Sequence, residues 1–144
     1  MGLCGSIVEL LRSFNWRKYG VILGVLFGSI CRSSDTMVGD VDVGVLYKRR
    51  PSASGVLDLY SSLAPLVENT ARIPLDLTVL NWNPPCELVV ELFKTGVPVF
   101  EYRPGAYLDY MLVKVMECYD WSIVERKLGL TEAARRAVFH GSPT

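Results

Sequence analysis

The stretch Val21-Ile-Leu-Gly-Val-Leu-Phe27 is apolar at every position and rich in β-branched residues. A run of strand length with no polar face has to be buried on both sides, so the chain must supply cover above and below it. Candidate cover is legible around it. Ser6 to Lys18 places Ile7, Leu10, Leu11 and Phe14 at helical spacing, with Ser6 and Glu9 in the positions of a capping box, and Gly20 breaks the pattern. After the strand come Gly28-Ser29, a short polar piece from Ile30 to Gly39, and a second strand from Val41 to Tyr47 that ends in Lys48-Arg49-Arg50-Pro51. A helix is expected from Ala53 to Asn69, kinked or shortened by Pro65, then a third strand from Ile73 to Leu80. Pro84-Pro85 opens a helix over Cys86 to Thr95, which Gly96 is placed to close in a left-handed cap. Val97 to Tyr102 reads as an edge strand because of Pro98, followed by a long helix from about Tyr107 to Leu128 and a shorter one from Thr131 to Phe139. Alternation of this kind gives an α/β (α+β) class with one mixed β-sheet of about four strands flanked by helices.

Composition narrows the rest. With 144 residues, half of them hydrophobic, the chain reads as a single domain whose core needs no disulfide staples, and disorder is excluded. Fifteen Lys+Arg balance fifteen Asp+Glu, which gives no electrostatic footprint for a nucleic-acid backbone. Cys4, Cys31, Cys86 and Cys118 lack C-x-x-C spacing and histidine neighbours, so they read as buried thiols of a cytoplasmic protein and not as a zinc site or disulfide framework. The longest uncharged apolar stretch, Val21 to Cys31, is about half a membrane span, and no secretory leader is expected.

The chemistry concentrates in acids. Asp40 and Asp42 flank Val41, and residues two apart in a strand project from one face about 6 to 7 Å apart. Like charges so close need a counter-ion, and Mg²⁺ takes one or two carboxylates together with substrate phosphates. The plain alternative is a solvated turn after Gly39. Gly28-Ser29, between a buried strand and a helical turn, is placed to cradle a phosphate on backbone N–H groups, and Arg32 follows within reach of the same anion. A third acid, Asp76, lies near the start of the otherwise apolar Leu75-Asp-Leu-Thr-Val-Leu80, where a lone carboxylate is costly unless it is paired, metal-bound or solvent-facing. If the third strand neighbours the second, the three acids form a two-metal site beside a triphosphate cradle.

The segment from Gly28 to Val43, Gly-Ser-Ile-Cys-Arg-Ser-Ser-Asp-Thr-Met-Val-Gly-Asp-Val-Asp-Val, resembles without a gap the G-S-x-A-R-G-x(5)-S-D-x-D signature of the DNA polymerase beta-like nucleotidyltransferases. Within that superfamily the chain is most similar to the minimal nucleotidyltransferases (MNT), antitoxins paired with HEPN-domain toxins. Leu75-Asp76-Leu77, the stretch Leu92 to Tyr102, and Tyr119-Asp120 fit the same pattern. Ser33 stands where the family has glycine, and Gly39 where it has serine.

The resemblance implies a polymerase beta-like fold in one minimal domain over residues 1–144, with a core of about 6–128 and a helical tail of 129–144. It implies Mg²⁺-dependent transfer of AMP from ATP to a hydroxyl, in which Asp40, Asp42 and Asp76 are catalytic and bind two ions while Gly28, Ser29 and Arg32 hold the phosphates. The implied acceptor is a tyrosine of a HEPN ribonuclease toxin, silenced by the modification, in a cytoplasmic hetero-oligomer with no membrane or direct nucleic-acid contact. A binding antitoxin without chemistry and a small-molecule (aminoglycoside-like) nucleotidyltransferase are the alternatives. Elsewhere, Lys48-Arg49-Arg50 reads as a solvated loop, His140 as surface, most of the series Tyr102, Tyr107, Tyr110, Tyr119 and Trp121 as core, and Trp82 as an exposed contact just past Asp76.

Overall fold

The computed structural model describes residues 2–31 and 39–128, the last nine of them (120–128) as helix backbone only. Four strands, β1 (Val21–Phe27), β2 (Val41–Tyr47), β3 (Leu75–Val79) and β4 (Val97–Glu101), form one sheet in the order β3-β2-β1-β4. β1 runs antiparallel to both β2 and β4, whereas β2 and β3 are parallel, so the sheet is mixed. Helices α1 (Leu3–Ser13) and α2 (Ala53–Ala71) pack on one face, and α3 (Cys86–Thr95) and α4 (Ala106–Leu128) belong to the other. β1 lies inside the sheet and feeds both cores: Val21 and Leu26 join Ile7, Leu11, Leu59 and Leu63 on the first face, while Leu23, Val25 and Phe27 join Val89, Leu92 and Met111 on the second. This is the two-sided burial that its uninterrupted apolar sequence demands.

Local departures from the sequence reading have identifiable causes. α1 starts at Leu3, and the Ser6 amide donates to Gly2 O at 3.1 Å, so Ser6 lies inside the helix and the Ser6/Glu9 capping box does not form. The helix stops at Ser13 because the Trp16 indole N–H donates to Leu11 O at 2.7 Å, taking a carbonyl that the next helical turn would use; Trp16–Tyr19 becomes a separate 3₁₀ turn. α2, capped by Ser52 Oγ accepting from the Gly55 amide, runs through Pro65 to Ala71 instead of ending early. Pro65 and Ser61, whose carbonyl loses its helical partner, are both exposed, so water can serve that carbonyl. Gly96 ends α3 with an extended backbone (φ −66°), not a left-handed one. Its lack of a side chain serves close approach, since a Cβ there would collide with Leu92 O and the Tyr107 hydroxyl.

The cysteines correct the reading most. Cys4 pairs with Cys31, tying α1 to the turn after β1, and Cys86 pairs with Cys118, tying α3 to α4. Sequence separations of 27 and 32 residues conceal these pairs, which exist only because the helices concerned share a face. The expectation of free buried thiols is therefore overturned, and cysteine usage no longer argues for a reducing compartment. Of the aromatic series, Tyr107 and Tyr110 pack against the second core, whereas Tyr102 and Tyr119 are exposed. Among the described residues no helix is long and apolar enough to cross a membrane. Arg32, Ser33, the helix expected over Thr131–Phe139 and His140 lie outside the described residues, as does the Trp121 side chain.

Candidate active site

Strand register builds the acid cluster. Asp42 stands opposite Asp76 in the parallel β2–β3 pair and opposite Phe27 in the antiparallel β1–β2 pair. Asp40 precedes β2 by one residue and shares the Asp42 side of the chain by the alternation of extended backbone. One carboxylate oxygen from each of Asp40, Asp42 and Asp76 lies within 4.8 Å of the others. The three acids that the sequence analysis singled out are thus brought together in space.

Their environments differ. Asp40 and Asp76 are exposed, whereas Asp42 is half-buried, and its pKa is pushed up from 3.8 to about 6. Burial is the main cause, followed by the charges of Asp76 and Asp40, a hydrogen bond with Asp76, and the more distant charge of Glu91 on α3. Among the described residues no lysine or arginine pairs with any of the three. A crowded set of hard oxygen donors, with no basic partner among the described residues, suits a divalent cation of the Mg²⁺ type.

Gly28 closes the site on the β1 side. Its backbone is left-handed (φ +83°), and a Cβ at this position would run into the Asp42 carboxylate. Glycine is required here twice over, by conformation and by space. The Gly28 amide, expected to be free for phosphate, instead donates to Thr95 Oγ1 at 2.8 Å, and Thr95 Oγ1 in turn donates to Glu91 O at 2.8 Å. The end of α3 is thereby moored to the turn beside the acids. Sequence reasoning missed Thr95, and nothing in its local pattern signals the role, because its partner is 67 residues away. Ser29 follows in a 3₁₀ turn (Ser29–Cys31) and is partly buried.

Other candidates fall elsewhere. Lys48, Arg49 and Arg50 are exposed at the opposite end of β2, roughly 20 Å of strand from the acids. Trp82, at the end of a 3₁₀ turn (Leu80–Trp82), is 47% exposed and shares with Asp76 the wall of a groove of about 460 Å³ beside β3.

A mixed sheet that gathers three carboxylates against a glycine turn is a scaffold suited to metal-assisted phosphoryl chemistry. Residues 9–104 match the family described as Polymerase beta, Nucleotidyltransferase, and the chain belongs to that family. No curated protein matches it at a significant level. Solved structures share the fold. A doubly substituted form of the MntA-HpeT toxin-antitoxin aligns with a TM-score of 0.59 and 17% identity over 90% of this chain and 97% of that one. A toxin-antitoxin structure with AMP-PNP aligns at 0.58 and 19% identity, again over 90% and 97%. A complex of tri-AMPylated Shewanella oneidensis HEPN toxin with MNT antitoxin aligns at 0.54 and 19% identity, over 90% of this chain and 94% of that one.

Proposed function

We propose that this chain is a Mg²⁺-dependent nucleotidyltransferase that moves AMP from ATP onto a hydroxyl, such as a tyrosine, of a partner protein, and that the partner is a HEPN-domain toxin which the modification silences. The observation that carries the chemistry is the convergence of Asp40, Asp42 and Asp76 beside Gly28. The choice of AMP and of partner is supported by the neighbours that contain AMP-PNP and an AMPylated HEPN toxin. We place the reaction in the cytoplasm, where ATP is supplied, and assign it to one domain spanning residues 1–144.

In this reading Asp40 and Asp42 would hold two ions, and Asp76 would be a further ligand for one of them. When bound, Mg²⁺ neutralises the crowded carboxylates, offsets charge on the phosphates and makes the acceptor hydroxyl more acidic. Ser29, with Arg32, binds the β- and γ-phosphates, while Gly28 leaves room for them and is held in place by Thr95. The acceptor oxygen forms a bond to the α-phosphorus as the bond from that phosphorus to the β-bridging oxygen breaks. Pyrophosphate departs, and Asp76 takes the acceptor proton.

Intact-mass spectrometry of a co-expressed HEPN partner tests the proposal. A mass increment of one or more AMP groups, absent with Asp40→Ala or Asp42→Ala, is the expected result. A partner that is inhibited but unmodified overturns catalysis in favour of inhibition by binding, and turnover of a small hydroxyl compound with no partner present overturns the protein acceptor.

A further inference from the structure

β3 is the outer strand on the acid side of the sheet, and its free edge has a definite polarity. The Val41 amide donates to Pro74 O at 2.9 Å, so even-numbered residues of this segment turn their backbone groups toward β2. Odd-numbered residues turn theirs outward. Leu75 confirms it, since its N–H donates to Glu68 Oε1 at 3.3 Å and its C=O accepts from the Tyr60 hydroxyl at 3.5 Å, both side chains belonging to α2. The next odd residue, Leu77, therefore presents its N–H and C=O on the outer side, where the groove of about 460 Å³ lies.

The groove is walled by Val56, Leu57 and Tyr60 of α2, by Leu77, and by Trp82, and Asp76 is part of its lining. Two of these apolar side chains are exposed, Leu57 at 63% and Trp82 at 47%. Edge strands are commonly defended by proline or lysine, and the opposite edge, β4, carries Pro98. The sequence of β3, Leu-Asp-Leu-Thr-Val, has neither. An open backbone edge, flanking apolar side chains and a metal-binding carboxylate thus share one depression.

We propose that this groove seats the acceptor of the transfer as an extended polypeptide segment, which adds to the outer edge of β3 at Leu77 and carries its hydroxyl past Asp76. Backbone pairing supplies affinity without sequence demand, and Leu57 and Trp82 grip side chains that alternate along the added strand. The occupant is polypeptide and not a small hydroxyl compound because an unpaired strand edge matches a backbone, and the groove is continuous with the catalytic acids through Asp76. This inference rests on the reading of the site as a protein nucleotidyltransferase.

The test uses the complex with the co-expressed HEPN partner, radiolabelled ATP and Mg²⁺, and compares Leu57→Arg, Trp82→Ala, the α4 surface control Leu112→Arg, and Asp42→Ala. Leu57→Arg and Trp82→Ala should lower label transfer to the partner at limiting concentration by about tenfold or more, with affinity for Mg²⁺ and AMP-PNP changed less than about twofold. Leu112→Arg should transfer normally. Hydrogen exchange at the Leu77 amide should slow when the partner is bound. Should Trp82→Ala unfold, Leu57→Arg, at an exposed helix position, still decides. Transfer that survives both groove substitutions, or a Leu77 amide left unprotected, overturns the acceptor groove while Asp42-dependent transfer stands. Loss of nucleotide affinity in the groove variants overturns it as well, by assigning the groove to ATP. Transfer absent in the wild type, or unaffected by Asp42→Ala, overturns the underlying reading instead.

Discussion

The two sides of β2 are made of the same seven residues and do opposite things. Val41, Val43 and Val45 face α1 and α2 and are 0% exposed. Asp42, Gly44 and Leu46 face the other way, toward a layer in which α3 and α4 pack with β1 while the start of β2 and β3 is left uncovered. Alternation of period two therefore divides one strand into a face that holds the fold and a face that bears the acid of the proposed site. Substitutions one residue apart should fail in different ways.

The largest effect should separate the two faces most cleanly. On the proposed function, Asp42→Ala should reduce AMP transfer by on the order of a thousandfold, since a residue proposed as a metal ligand would contribute several kcal/mol to stabilising charge in the transition state. It should leave thermal stability unchanged or slightly raised, because it removes a half-buried acid crowded by Asp40 and Asp76. Val43→Ala should do the reverse, costing about 2 kcal/mol in urea unfolding through lost burial while each folded molecule stays active. An unfolded Asp42→Ala, or a folded but inactive Val43→Ala, breaks the division.

The disulfides come next, and they also distinguish the two faces. Closing loops of 27 and 32 residues should contribute roughly 2–4 kcal/mol each. Cys86→Ser should cost stability alone, because that bridge joins α3 to α4, neither of which carries an acid of the cluster. Cys4→Ser should cost stability and also loosen the turn that begins at Ser29, which on the proposed function raises the KM for ATP. A thiol assay on denatured, unreduced protein checks the premise, with no free thiol expected. Equal KM values in the two variants would detach the first bridge from the site.

Gly28→Ala should have a smaller effect on stability, about 1–2 kcal/mol, because a left-handed backbone is strained by a side chain. Its effect on activity should exceed its effect on folding, since the added methyl displaces the Asp42 carboxylate. Kinetics of the folded fraction, with unfolding measured in parallel, resolve the two contributions.

These contrasts explain what could be read from the chain beforehand. β1, β2 and α3 were legible to the residue, because an uninterrupted apolar run in β1, the β-branched positions alternating along β2, and the flanking glycine or proline are local signals. The clustering of Asp40, Asp42 and Asp76 was legible because an acid in or beside an apolar strand is locally anomalous. What escaped was whatever depends on a distant partner: the Trp16 indole that stops α1, the Tyr107 hydroxyl that crowds Gly96, the Thr95 hydroxyl that holds Gly28, and both cysteine pairs. Each of these residues is ordinary in its own neighbourhood and acquires its role only when the sheet brings two segments together.

The smallest effect follows from the Asp42 carboxyl. Without metal its pKa is about 6 in the folded protein against 3.8 ordinarily, so between those values the folded state retains a proton that the unfolded state has lost. Stability falls with rising pH wherever the folded state binds more protons, so the metal-free protein should lose stability from about pH 4 to about pH 6 and then level off. Solvent screening of a half-exposed group limits the loss to about 1 kcal/mol. Added Mg²⁺ should reverse it above about pH 6, where the carboxylate is free to bind, and should have little effect below, where the proton competes. Urea midpoints measured across this range in chelator and in Mg²⁺ test the sign, with Asp42→Asn as the reference that should respond least to either. A midpoint that climbs through the same window, after the other acids are accounted for by that variant, would place the charge of Asp42 among the forces that hold the sheet together and erase the distinction between its two faces.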